Sequence, residues 1–186
     1  MKFYAITPLV ALGALAAGCA QQGIDPDQIP DNVPTGTLTL SLGSPEPSDI
    51  DPRVEEVWVR VGDLSVRSEE HGWVDLTEGR QDVNLMAADP TVIASSELWT
   101  GSYDRTEIGI EDTWIVVDGQ EQDLAFLGDV DPNDILGKGL VVGDSFYLDE
   151  DMETDVLVSW DLDQNLEPYG DGWGLGASTT LDVDIE

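Results

Sequence analysis

Basic residues, cysteine and histidine are all scarce in this chain. Seven Lys and Arg face 39 Asp and Glu among 186 residues, a formal net charge of -32. One base, Lys2, sits in an N-terminal segment expected to be removed, which makes the remainder more acidic still. A field of this sign repels phosphate and anionic headgroups, so nucleic acid and anionic lipid are excluded as partners of the folded body. It also repels itself, and salt near 1 M, with a screening length of about 3 Å, removes most of that repulsion. Adaptation to a salty exterior is the reading favoured over a bias that only aids solubility. One cysteine and one histidine cannot supply the usual zinc or iron ligand set. The single thiol also leaves no disulfide, so the fold rests on packing alone. No apolar run reaches the ~20 residues of a spanning helix.

The lone cysteine stands in LAAGCAQQG. Lys2, an apolar run from Ala5 to Ala17 and the small residues Ala16, Ala17 and Gly18 form a secretory signal layout ending at Cys19. Leu15 to Cys19 resembles the bacterial lipobox, which implies a lipidated Cys19 as the first mature residue. No twin-arginine pair precedes the run, which suggests ordinary Sec export. Ala20 stands where Asp would resemble an inner-membrane retention signal, so the expected location is the bacterial cell envelope, at the outer membrane. Several acyl chains, each buried CH₂ contributing about 0.8 kcal/mol, make a durable anchor. Expected organisation is a signal peptide over 1–18, a lipidated cysteine and proline-rich flexible tether over 19–34, and one β-sandwich over 35–186. Prolines at 26, 30 and 34 suggest a polyproline-biased spacer that lifts the domain off the lipid.

From residue 35 the hydrophobic period becomes two. GTLTLSLG puts Leu38, Leu40 and Leu42 on one face; VEEVWVRV groups Val57, Val59 and Val61, with Trp58 and Arg60 opposite. LSVR, GWVDL, DVNLM, YDRTEIGI and METDVLVSW are further strand candidates. Asp118-Gly119 between strand-like runs marks a hairpin. TTLDVDIE sends Leu181, Val183 and Ile185 inward and Asp182, Asp184 and Glu186 outward, where the acids discourage edge-to-edge pairing. Only AADPTVIASSEL, 87–98, is read as a short helix. Many short strands joined by turns predict an all-β antiparallel sandwich.

These segments also resemble the family known as domain of unknown function 4382. The resemblance rests on GTLTLSL, EEVWVRVGDLSVRS with its following Gly-Trp-Val, GSYDRTEIGI, and LVSWDLDQN ending in Asp-x-Asp, and spans 35–186. It implies a secreted protein or lipoprotein with an immunoglobulin-like or transthyretin-like sandwich, and it carries no activity. The stretch after Asp163 departs from the family pattern through Glu167, Asp171 and a glycine-rich loop.

Catalytic chemistry finds little support. Gly-Asp-Ser in VVGDSFY lacks a general base, because His71 lies among acids before a glycine, as a solvated turn residue would. No Gly-x-Ser-x-Gly elbow or βαβ pattern is present. The glycines at 170, 172, 174 and 176 lack the lysine and following helix of a phosphate loop. A carboxylate pair for an acid-pair hydrolase is available in a chain this acidic but is identified only by spacing across a cleft. Calcium needs only oxygens. GDVDPND offers Asp129, Asp131, Asn133 and Asp134; WDLDQNLE offers Asp161 and Asp163, with Asn165 and Glu167. Neither is an EF-hand, since the sixth position is Asp134 or Leu166 and the twelfth Leu140 or Gly172, and a solvated loop is the favoured alternative. Tyr169 and Trp173 in PYGDGWGLG are candidate glycan contacts, set against the simpler view that the tryptophans cover core and rim. The main expectation is a non-enzymatic, lipid-anchored envelope module, structural or adhesive, with its ligand left open between an envelope protein and a glycan. A glycan-binding or calcium-dependent surface protein stands second. Exposure of Trp58, Trp114 or Trp173 favours the glycan reading, and full burial of all three the plain module.

Overall fold

The structure, a computed structural model, describes residues 24–26, 29–30, 33–45, 47–76, 79–127 and 139–185. Its spine is the antiparallel pair β2 (Val54–Ser68) and β6 (Gly101–Val117), in register from Val54 opposite Val117 to Ser68 opposite Tyr103. Each is longer than any neighbour, so shorter strands share its outer edge. Along β2 lie β4 (Gln81–Asn84) and β3 (Gly72–Asp75). Along β6 lie β7 (Gln120–Phe126), β8 (Gly139–Val142) and β9 (Phe146–Leu148). The hairpin of β11 (Leu166–Tyr169) and β12 (Gly172–Leu175) extends this sheet beyond β7. The second sheet has β13 (Thr180–Ile185), β10 (Glu153–Ser159), β1 (Thr35–Gly43) and β5 (Thr91–Trp99) in that order.

Period-two alternation builds the core between the sheets. Leu38, Leu40 and Leu42 of β1 are buried with Val57, Val59 and Val61 of β2, while Thr37, Thr39, Trp58 and Arg60 remain partly accessible. The Asp118-Gly119 turn joins β6 to β7 with both residues at positive φ, 50° and 70°, the geometry of a twisted two-residue hairpin.

The sandwich is almost wholly β, and most of its pairings are antiparallel. Two are parallel: β1 with β10, and β7 with β12. Parallel neighbours need a long crossover, and the β1–β10 crossover contains most of the first sheet. Residues 87–98 are not a helix. Thr91–Trp99 is β5, paired antiparallel with β1. Its β-branched Thr91, Val92 and Ile93 favour a strand, and the open edge of β1 supplies backbone partners. The only α-helix among the described residues is one turn, α1 (Leu162–Asn165). On β13, Leu181 packs against the core as expected, but Val183 is 41% exposed because the strand is an edge.

The described residues of the expected tether, 24–26, 29–30 and 33–34, are not a free spacer. Ile24 donates its N–H to Trp73 O at 2.8 Å and accepts from Asp75 N at 3.0 Å, a parallel contact centred on Val74. Ile29 N–H donates to Pro26 O and Val33 N–H to Pro30 O, and Thr100 N–H donates to Pro34 O. Ile24, Ile29 and Val33 pack against the core. The prolines dominate the composition, but the apolar residues between them decide where the segment lies.

Candidate functional site

The outward side of the β2–β6 spine carries an aromatic pair. Trp58 and Trp114 occupy the polar phase of their strands and face each other directly across the ladder. Their rings are parallel within 2°, with centroids 5.8 Å apart, and both are half-buried. Trp58 Nε1 donates to Glu56 Oε2 at 2.7 Å. The Arg60 guanidinium lies 5.4 Å from the Trp114 ring centroid. It also donates to both Asp82 oxygens, at 2.7 and 3.1 Å, and approaches Asp112 at 3.7 Å. That pairing raises the Arg60 pKa and lowers that of Asp82. Strand register brings Asn84 beside Trp58 and Asp123 beside Trp114. One row of the sheet therefore reads Asn84, Trp58, Trp114, Asp123, and the next reads Asp82, Arg60, Asp112.

The row opens at one end into a cleft. Past Asp123, β7 leaves β6 to pair with β12, and Thr113 Oγ1 donates to Leu124 O at 2.5 Å across the gap. The cleft holds about 320 Å³ between Ile110–Thr113 and Leu124–Phe126. Glu111 at its mouth pairs with Arg80 at 2.6 Å. Gly62 permits this placement, since a Cβ there would lie 2.8 Å from Glu111 Cγ. The surface thus offers ring faces, an apolar recess and a border of carboxylates, three of them paired with arginine.

The residues singled out from sequence are distributed differently. Asp129, Asp131, Asn133 and Asp134 lie outside the described residues, as does Cys19. Asp161 and Asp163 both hold backbone. Asp161 caps α1, accepting from Asp163 N at 3.0 Å and from Gln164 Nε2. Asp163 accepts from Ser48 N at 2.9 Å, Ser48 Oγ at 2.7 Å and Asp49 N at 3.0 Å, and these donors lower its pKa. Asn165, buried beneath them, bonds both ways with Ser178. Among the described residues, no group of three or more His, Cys, Asp or Glu converges as a cation cage. An Asp163→Ala variant is expected to lose hydrogen-exchange protection at the Ser48 and Asp49 amides while the β2 and β6 amides keep theirs, read by exchange mass spectrometry.

Tyr169 and Trp173 do not form a joint platform. They belong to the β11–β12 hairpin, whose two-residue turn starts at Gly170 with φ 61°. Tyr169 pairs with Gly172 and Pro168 with Trp173, so the two rings point to opposite sides of the hairpin. Tyr169 is 55% exposed, whereas Trp173 packs partly on the core. His71 is exposed at the β2–β3 turn, its ring 4.5 Å from that of Trp99. No helix among the described residues is long and apolar enough to cross a membrane. No family model, curated protein or solved structure matches the chain.

Proposed function

We propose that this chain is an exported, lipid-anchored envelope protein, of the kind found among domain of unknown function 4382 lipoproteins, that acts as an adhesive module. It is lipidated at Cys19 and binds glycan on the outward face of β2 and β6. The parallel Trp58–Trp114 pair carries the reading. Pyranose rings present C–H faces that stack on indole, and their hydroxyls donate to carboxylates such as Asp123 and Asp112 at the border. The sheet fixes both rings before a ligand arrives, so little ordering entropy is lost on binding. Two half-buried tryptophans on the polar side of a strand pair cost apolar exposure that a purely structural face would not need.

The full chain carrying Cys19→Ser, run through gels containing cell-wall polysaccharides in high salt, is expected to be retarded by at least one polymer. Trp114→Ala is expected to weaken that retardation at least about tenfold, equivalent to roughly 1.4 kcal/mol. Trp173→Ala is expected to leave it unchanged. Retardation that survives loss of both Trp58 and Trp114 would exclude this face. Capture of an envelope protein with no polymer retarded would favour the plain structural module.

A further inference from the structure

We propose that the turn end of the β2–β3 hairpin is the membrane-facing end of the sandwich, held there by the Ile24–Val74 strand contact, with the Trp58–Trp114 face on the membrane-distal half of the same strands. This rests on lipidation of Cys19. Ile24 runs parallel to β3, its N–H on Trp73 O and its carbonyl on Asp75 N, so its N-terminal end faces Gly72 and the Glu69–His71 turn. Four residues lie between Cys19 and Ile24, five chain steps with a reach of at most about 18 Å. The turn itself projects beyond Val74 in the same direction, so no room remains for a stalk. Its surroundings suit a headgroup layer. Tyr147 is 51% exposed opposite Ser102, whose carbonyl accepts from Glu69 N–H, and His71 stacks near Trp99. An exposed tyrosine belongs at such an interface. Glu69 and Glu70 at the turn select a zwitterionic surface over an anionic one. Val66 pairs with Val74, and Trp58 lies eight residues further back along β2, about 26 Å away at ~3.3 Å per residue.

The test uses the full chain acylated at Cys19, with one added cysteine, Glu70→Cys or Asp123→Cys, bearing a nitroxide. It is reconstituted in phosphatidylcholine vesicles containing a nickel-chelating lipid. Relaxation by nickel is expected to be several-fold stronger at 70 than at 123. Adding Ile24→Pro, which removes the N–H donated to Trp73, is expected to erase the difference. Equal relaxation at the two sites, or stronger relaxation at 123, overturns the orientation while leaving the lipid anchor intact. Failure to incorporate palmitate overturns the anchor and the orientation together. In the Cys19→Ser chain, slow exchange at the Ile24 and Asp75 amides supports the strand contact independently of lipid. Fast exchange there overturns the orientation even where palmitate is incorporated.

Discussion

Trp160→Ala is expected to cost about 3–5 kcal/mol of stability, the range for removing a large aromatic from a well-packed core. Trp160 is fully buried just past β10. Its Nε1–H donates to Gly176 O at 2.8 Å, its backbone N–H donates to Gly43 O at 2.8 Å, and its ring meets Phe126 edge-on at 6.1 Å. One side chain thus ties β1 and β10 of one sheet to β7 and the β12–β13 connection of the other. A domain of this size holds about 5–15 kcal/mol in total, so the loss is at least about a fifth of it and, at the low end of that range, most or all of it. Trp160→Phe retains most of the volume but leaves the Gly176 carbonyl without its donor, and its cost is expected to be smaller. Trp58→Ala, on the outward face, leaves no cavity and is expected to stay within about 1 kcal/mol. Urea unfolding followed by circular dichroism in high salt compares the three. If Trp160→Ala costs no more than Trp58→Ala, the two sheets do not close at this corner.

The fold was legible wherever a local rule decided the outcome. Alternation placed Leu38, Leu40, Leu42, Val57, Val59 and Val61 in the core, and Asp118-Gly119 located a hairpin, because both signals lie within a few residues. Three features depended on distant partners. Thr91–Trp99 became a strand because β1 offered an edge, and the parallel β1–β10 pair joins residues more than a hundred positions apart. The segment from Ile24 to Pro34 read as a spacer because its prolines outweighed three apolar residues whose docking ground is β3 and the core.

The candidate site divides along the same line. Trp58 and Trp114 were each visible at a polar position of an alternating strand, but their direct pairing follows from β2–β6 register across more than fifty residues. Asn84, Asp82 and Asp123 join them only through β4 and β7. The Asp-x-Asp of WDLDQN looked like a cation loop because the carboxylates are close in sequence. The structure gives Asp163 to the Ser48–Asp49 amides and Asp161 to a helix cap, two uses of a carboxylate that composition does not distinguish from metal binding. Tyr169 and Trp173 are four residues apart, which suggested proximity, yet a two-residue turn puts them on opposite faces.

Salt and pH should move the stability of this protein in ways that its charge and its ion pairs separate. Raising NaCl from about 0.1 M to 1 M shortens the screening length from about 10 Å to about 3 Å, which weakens repulsion among 39 acidic residues. At this chain length each kcal/mol gained raises the melting midpoint by about 2–4 °C, and a rise of roughly 10 °C is expected. Acid acts in two opposed steps. Burial beside Asp63 and Asp25 raises the pKa of Asp75, so its ionised form is penalised in the folded state, and lowering pH through that raised value adds stability. Asp51, Asp82, Asp104 and Asp163 have lowered pKa values, Asp51 to about 2 through Arg53, Asp82 through Arg60, Asp104 through Arg67, and Asp163 through Ser48 and Asp49. Their stabilisation is fully present above the unfolded value near 4 and is lost as pH falls through each lowered value, about 2 for Asp51. In low salt the melting temperature is therefore expected to rise from pH 7 to a maximum slightly above pH 4 and then fall. In 1 M NaCl the rise should flatten, because screening has already removed the repulsion, while the fall below pH 4 should persist, because hydrogen bonds such as Arg53 to Asp51 at 2.7 Å are lost with the carboxylate. A melting temperature that declines steadily from pH 7 in low salt, or that is indifferent to NaCl, would mean that the acidic surface does not oppose folding.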